Sequence, residues 1–253
     1  MTTPFTFRDH FSGAAREYAA FRPRYPDALF AALAGRVPAA RRALDCATGN
    51  GQAALGLARH VSAVVATDAS AEQLAQASVH PRVLYVRAKA ERSPLLPGSV
   101  DLVTVAQALH WFDRPAFFEE ARRVLVPGGL VAVWSYGVAE VDPRIDRVLQ
   151  FFYHDVVGAY WPVERALVEL RYGTIEFPFD EVSVPSPPMQ AHWGLDDLGG
   201  YLRTWSATLR YREALGRDPV DALLRDIAPL WGPAGARRPV RWPLVIRAGH
   251  RAG

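Results

Sequence analysis

The stretch Ala43 to Gln52, ALDCATGNGQ, decides how this chain is read. A short apolar run ends in an acid and passes at once into a loop with glycines at 49 and 51. Arg41 to Cys46 reads as a buried strand and Ala53 to His60 as a helix, so the loop lies at the carboxyl end of the strand. Open α/β sheets bind ligands there. Gly49 and Gly51 permit positive φ and a close approach to main-chain N–H groups at the positive end of the helix. That geometry suits an anionic or ribose-bearing ligand. The plain alternative for two glycines is a tight turn that holds nothing.

Spacing narrows the choice. A dinucleotide loop needs G-x-G-x-x-G, yet counting from Ala47 or Gly49 puts Gln52 or Ala54 at the last glycine position. Asp45 would repel the charges of a pyrophosphate and attract an ammonium group; S-adenosyl-L-methionine (SAM) carries an ammonium and a sulfonium. The string Asp45 to Gly51, DCATGNG, resembles the D-x-G-x-G-x-G first motif of class I SAM-dependent methyltransferases. Ala47 stands where that family usually has its first glycine, which is tolerable if its φ is negative.

Outward from the loop the chain alternates. Val61 to Thr67 reads as a second strand ending at Asp68, and Ser70 as the cap of a helix over Ala71 to Ala77, with Glu72 in its first turn. Arg82 to Arg87 and Val100 to Ala106 read as strands, Pro115 to Leu125 as a helix, and Leu130 to Trp134 as a fifth strand after the turn Pro127, Gly128, Gly129. Such alternation predicts an α/β fold, a doubly wound parallel sheet. Beyond Ser135 the rhythm stops. Ile145 to Val157, Val163 to Leu170 and Leu195 to Tyr211 look helical, Thr174 to Val184 strand-like, and Val240 to Arg247 returns to a strand in which Pro243 marks an edge or strained position.

Asp68 ends the second strand where nucleoside-binding sheets take ribose hydroxyls. A helix cap is the other reading, but Ser70 already offers one, which favours ribose. Ala88 to Glu91, AKAE, is similar to the methyltransferase motif whose small residue and acid flank adenine, Ala90 and Glu91 here. Val105 to Asp113, VAQALHWFD, sets Gln107, His110 and Trp111 past the end of the fourth strand, and packing is the alternative for His110 and Trp111. This string resembles small-molecule methyltransferases of the trans-aconitate and yeast carboxyl-methylating branch. The arm DHFSGAAREYAAFRPRYP (residues 9 to 26), the segment YLRTWS (201 to 206) and the closing VRWPLVIR (240 to 247) resemble the same branch.

The resemblance implies a mostly parallel, Rossmann-like seven-stranded sheet in a single domain, 1–253. Residues 1–26 would form an N-terminal arm, 27–135 the SAM-binding core, 136–239 a helical excursion serving as lid and acceptor region, and 240–253 the final strand and tail. It implies SAM as cofactor, S-adenosyl-L-homocysteine as product and no metal. Cofactor contacts would come from Tyr18, Asp45, Ala47, Thr48, Gly49, Gly51, Asp68, Ala69, Ala90, Glu91, Ala106, Gln107 and Trp111. Phe11, Tyr25, His110 and Trp205 would face the acceptor, a small molecule. His110, with an ordinary pKa near 6.5, would act as base for a hydroxyl or amine acceptor, or else orient a carboxylate or simply pack. Two other functions stay open: a nicotinamide-dependent oxidoreductase on a similar sheet, and a non-catalytic relative that retains SAM.

Composition agrees with a globular enzyme. Of 253 residues, 50% are hydrophobic, enough for a full core. The single cysteine, Cys46, precludes an internal disulfide and reads as a small core hydrophobe. A net charge of +3 comes from scattered arginine pairs rather than a basic stripe, so no nucleic-acid partner is expected. The longest apolar runs fall far short of the roughly 20 residues of a membrane span, and the start lacks a signal-peptide pattern; a cytoplasmic, membrane-free protein is expected. The oligomeric state is left open.

Overall fold

The structure, a computed structural model, describes residues 21–252. Phe11 and Tyr18, two of the expected contacts, lie outside the described residues.

Five parallel strands form the sheet's first part: β1 (Arg42–Cys46), β2 (Ala63–Asp68), β3 (Val83–Arg87), β4 (Val100–Ala106) and β5 (Leu125–Tyr136). Two more complete it, β6 (Asp180–Glu181) and β9 (Leu244–His250), in the order β3-β2-β1-β4-β5-β9-β6. β9 runs antiparallel to both β5 and β6. The strand order reverses between β1 and β4, which places the crevice at their carboxyl ends.

Side chains alternate across the pleat, and the alternation makes two cores. Leu44, Cys46, Val103, Val105, Val131 and Val133 point to one face, onto Phe117 and Phe118 of α4 (Arg114–Val124). Ala43, Leu102, Leu130, Ala132 and Trp134 point to the other, onto Leu29, Phe30 and Leu33 of α1 (Asp27–Ala34) and onto α2 (Gln52–Leu57). α3 (Ala71–Leu74) begins at Ser70, whose hydroxyl accepts from the Gln73 N–H as its sequence predicts.

A third core lies beyond Tyr136, built by α5 (Pro143–Phe151), α7 (Leu195–Arg203), α8 (Ser206–Leu215), α9 (Val220–Trp231) and a two-stranded sheet of β7 (Met189–Trp193) and β8 (Arg238–Trp242). A short helix, α6 (Arg165–Glu169), lies in the same excursion.

Several expectations need correction. Thr174 to Val184 is not a continuous strand; only Asp180 and Glu181 pair, with the end of β9. Val240 to Arg247 is two strands, because Pro243 has no N–H to continue a ladder and the chain changes sheets at it. The final core strand therefore starts at Leu244 rather than at 240. The segment Leu195 to Tyr211 breaks into α7 and α8 at Thr204, whose hydroxyl bonds back to the Tyr201 carbonyl and competes with the helix ladder. β5 runs on to Tyr136, one residue into the presumed excursion. α1 and α9 carried no expectation of helix.

Candidate active site

The loop between β1 and α2 has the strain its glycines suggest. Gly49 and Gly51 adopt φ of 56° and 85°. A Cβ at Gly51 would meet the Tyr85 hydroxyl at 2.2 Å, so only glycine fits. Ala47 also lies at positive φ, 51°, against the expectation of a negative value. A non-glycine residue in that region costs roughly 1–2 kcal/mol, a strain that the surrounding bonds must hold.

Asp45 supplies part of that hold. Its side chain is fully buried and accepts from Thr48 Oγ1 at 2.6 Å and from Thr104 Oγ1 at 2.7 Å. The carboxylate thereby ties the loop to β4 from inside. Burial pushes its pKa up to about 6, with the two threonine hydroxyls opposing and the neighbouring Asp68 charge adding.

Asp68 is also a brace. Its Oδ2 accepts from the Gly49 N–H at 2.8 Å and its Oδ1 from the Ser70 N–H at 2.9 Å. Ser70 thus caps α3 and is itself held by Asp68, so cap and acid are not alternatives. Two backbone donors aim the carboxylate. Ala69 is half-buried beside it, Ala90 is buried, and Glu91 accepts from the Asp113 N–H at 3.1 Å, joining the loop after β3 to the start of α4.

At the end of β4, Ala106 leads into Gln107, which adopts φ 59° and donates its N–H to the Trp134 carbonyl. The Gln107 amide Nε2 is buried with no hydrogen-bond partner among the described residues. Gln107 is one of the residues that line an open cavity. His110 and Trp111 line the same cavity from the β4 side, and Tyr201 and Trp205 from the third core. Arg22 reaches it from the arm, donating to Tyr136 Oη at 3.2 Å and to the Thr204 carbonyl at 3.1 Å. Trp161 and Arg165 close the remaining side.

His110 is only 6% exposed, and its Nδ1 lies 2.9 Å from Tyr172 Oη. Burial first, then the charges of Arg165 and Arg114, lower its pKa to about 3. That shift favours the neutral imidazole. The Tyr25 ring packs edge-on against Trp134 at 5.6 Å and Phe30 at 6.4 Å and lies 6.3 Å from Tyr136, a residue of the cavity wall. Trp205 lines the cavity, 4% exposed within a cluster of Phe152, Tyr153, Trp161 and Tyr201.

Arg165, Trp161 and Tyr172 were absent from the expected site. Nothing local in sequence marks them; their place follows from long-range contacts such as His110 with Tyr172, 62 residues apart.

A loop of this form at a sheet's switch point, next to an aromatic-walled cavity, agrees with comparison to known proteins. The methyltransferase domain family matches residues 44–133. A Dictyostelium discoideum protein named as a methyltransferase is 33% identical over 222 residues, covering 86% of this chain and 84% of its own. A solved structure from Anaeromyxobacter dehalogenans, named as a type II methyltransferase, is 44% identical with a TM-score of 0.85, covering 92% of this chain and 99% of its own. A Saccharomyces cerevisiae protein named for S-adenosylmethionine-dependent methyl transfer is 27% identical over 60% of this chain and 57% of its own. The chain belongs to the class I SAM-dependent methyltransferases. It is an enzyme of that kind with SAM as its cofactor, and the nicotinamide and non-catalytic alternatives give way. Among the described residues no helix is long and apolar enough to cross a membrane.

Proposed function

We propose that the enzyme methylates a small molecule held in the cavity beside Gln107, His110 and Trp111. The observation that carries this reading is the cavity's position: it opens directly past the end of β4 and is roofed by the aromatic third core. SAM supplies a methyl group on a positively charged sulfur. The chain's part is to orient the acceptor and exclude water, which can account for much of the rate of an in-line displacement without a covalent step.

Asp68 is assigned to the ribose hydroxyls, Ala69, Ala90 and Glu91 to the neighbourhood of the adenine, and the 47–51 loop with Gln107 and Trp111 to the amino-acid end. Asp45 and Thr48 hold that loop in shape. Fit is favoured by the two left-handed glycines, which bare the loop backbone, and by the unpartnered Gln107 amide. His110 and Trp205 serve the acceptor, and residues 136–239 form its lid. Tyr18 and Phe11 keep their proposed roles from the sequence.

Calorimetry with S-adenosylhomocysteine tests the assignment. Asp68→Ala is expected to weaken binding by more than tenfold, and an unchanged affinity removes Asp68 from the ribose role. Turnover of SAM with a panel of small acids, phenols and amines tests the acceptor class; activity confined to a protein or nucleic acid substrate would reject it.

A further inference from the structure

The wall of the cavity is largely aromatic: Trp111, Tyr136, Trp161, Tyr201 and Trp205 all line it. Trp161 differs from the rings packed on it. It is only half-buried, whereas Tyr153, at 4.8 Å between centroids, is 2% exposed and Trp205, at 5.5 Å, is 4% exposed. A tryptophan that served the core alone would be covered on all sides; this one keeps part of its surface uncovered at the cavity wall.

Tyr153 fixes that ring. A π-helical turn, Phe152–Val156, continues α5 and closes on the bond from the Val157 N–H to the Phe152 carbonyl at 3.0 Å. Such turns are rare and gather at functional sites. Here the turn sets a phenol between two charged side chains: Tyr153 Oη accepts from Arg165 Nε at 2.8 Å and donates to Glu169 Oε1 at 2.6 Å. Burial pushes that phenol up to about 12, so it keeps the proton it donates. The Trp161 Nε1 in turn donates to the Tyr153 carbonyl at 3.2 Å.

The same bridge decides what Arg165 offers a ligand. Its Nε is taken by Tyr153, Glu169 answers its charge through the phenol, and its guanidinium lies over the rings of Trp161 at 4.9 Å and Tyr153 at 5.6 Å. An arginine stacked in this way adds a plane to the wall more than a charge. A flat π surface favours a ligand of its own kind, because ring pairs gain beyond the area they bury. Tryptophan supplies that area with only two side-chain torsions to freeze. A saturated ring of equal size fills the same space without a π face.

Resting on the methyl-transfer reading above, we propose that the acceptor carries an aromatic ring, which binds against a Trp161 held in place by Tyr153. Trp161 is the specificity residue and Tyr153 a positioning residue.

The test uses the full-length protein saturated with S-adenosylhomocysteine and pairs of probes that share one polar group: benzyl alcohol with cyclohexylmethanol, and 2-naphthylmethanol with its decahydro counterpart. In calorimetric titrations the aromatic member of at least one pair should bind at least about fivefold more tightly than the saturated one. Trp161→Leu should bring that ratio close to one with S-adenosylhomocysteine affinity unchanged, and Trp161→Phe should keep part of the preference. Tyr153→Phe keeps the ring but breaks both bonds of the bridge, and it should lower the preference at least about twofold. Glu169→Gln leaves the phenol an acceptor and should retain most of it. In nitrogen NMR spectra the Arg165 Nε–H should exchange slowly with solvent in the wild type and in Glu169→Gln, and quickly in Tyr153→Phe. Equal binding within both pairs, no binding of either aromatic probe, or a preference that survives Trp161→Leu would overturn the aromatic acceptor. A preference unchanged in Tyr153→Phe would remove Tyr153 from its role. Failure of the wild type to bind S-adenosylhomocysteine would instead strike the methyl-transfer reading itself.

Discussion

Two buried titratable residues pull the stability of the fold in opposite directions as pH changes. Asp45 is raised from 3.8 to about 6 by burial. Between those values the folded chain keeps a proton that the unfolded chain has released, so its contribution to stability falls as pH rises. His110, lowered from 6.5 to about 3 chiefly by burial, does the reverse: the unfolded chain takes up a proton that the fold refuses, and stability falls as pH falls. The two oppose each other between about pH 4 and 6. Asp45→Asn should expose the histidine's effect. Its unfolding free energy should drop more steeply than the wild type's on acidification from pH 6 to 4, by on the order of 2 kcal/mol. Urea titrations at both pH values check this, and parallel slopes would show that Asp45 titrates alike folded and unfolded. At Ala47 the left-handed φ of 51° makes a different prediction. Ala47→Gly should stabilise the protein by about 0.5–1 kcal/mol, visible as a rise of about 1–4 °C in Tm.

At the scale of elements, helix propensity and packing disagree at Gly56 in α2. Alanine there would gain about 1 kcal/mol of propensity, but its Cβ would stand 2.1 Å from the Phe30 ring of α1. Overpacking of that kind costs roughly 1–3 kcal/mol, and because Phe30 is itself buried between α1 and Trp134, Gly56→Ala should be net destabilising in chemical denaturation. Asp142 caps α5 by accepting from the Arg144 and Ile145 N–H groups, and it also meets Arg238 of β8 at 2.8 Å. Asp142→Ala should cost about 1–2 kcal/mol, more than an isolated cap because it also loosens β8. These elements also divide what the sequence makes legible from what it hides. β1 to β5 were readable because each is an apolar run set in a regular alternation of strand and helix. The core loop was readable because its residues are contiguous. The pairing of β7 with β8 was not, since those strands find each other across α7, α8 and α9. Helix α9 contains Pro229, a residue that in sequence reads as a break. For the same reason the glycine loop and the residues that close β2 and β4 could be placed in advance, while Arg165 and Tyr172 could not: only the folded chain brings them beside His110.

Across the whole molecule, the sheet with its two faces and the aromatic third core meet along β5, whose Trp134 belongs to one core and Tyr136 to another. A ligand at this junction should stabilise everything it touches. S-adenosylhomocysteine at a hundredfold excess over its Kd should add about 2.7 kcal/mol, or roughly 5–10 °C in scanning calorimetry, and Asp68→Ala should remove at least about half of that shift at the same concentration. The pairing of Tyr136 with Leu244 has one more consequence, for the chain while it is being made. About 110 residues must emerge after β5 before its neighbour β9 exists, roughly 5–20 s at ordinary rates of synthesis. Throughout that interval the ribosome-bound chain carries the long apolar edge of β5 unpaired, the kind of edge that recruits foreign strands. Its yield in a cell should therefore depend on how quickly β9 arrives.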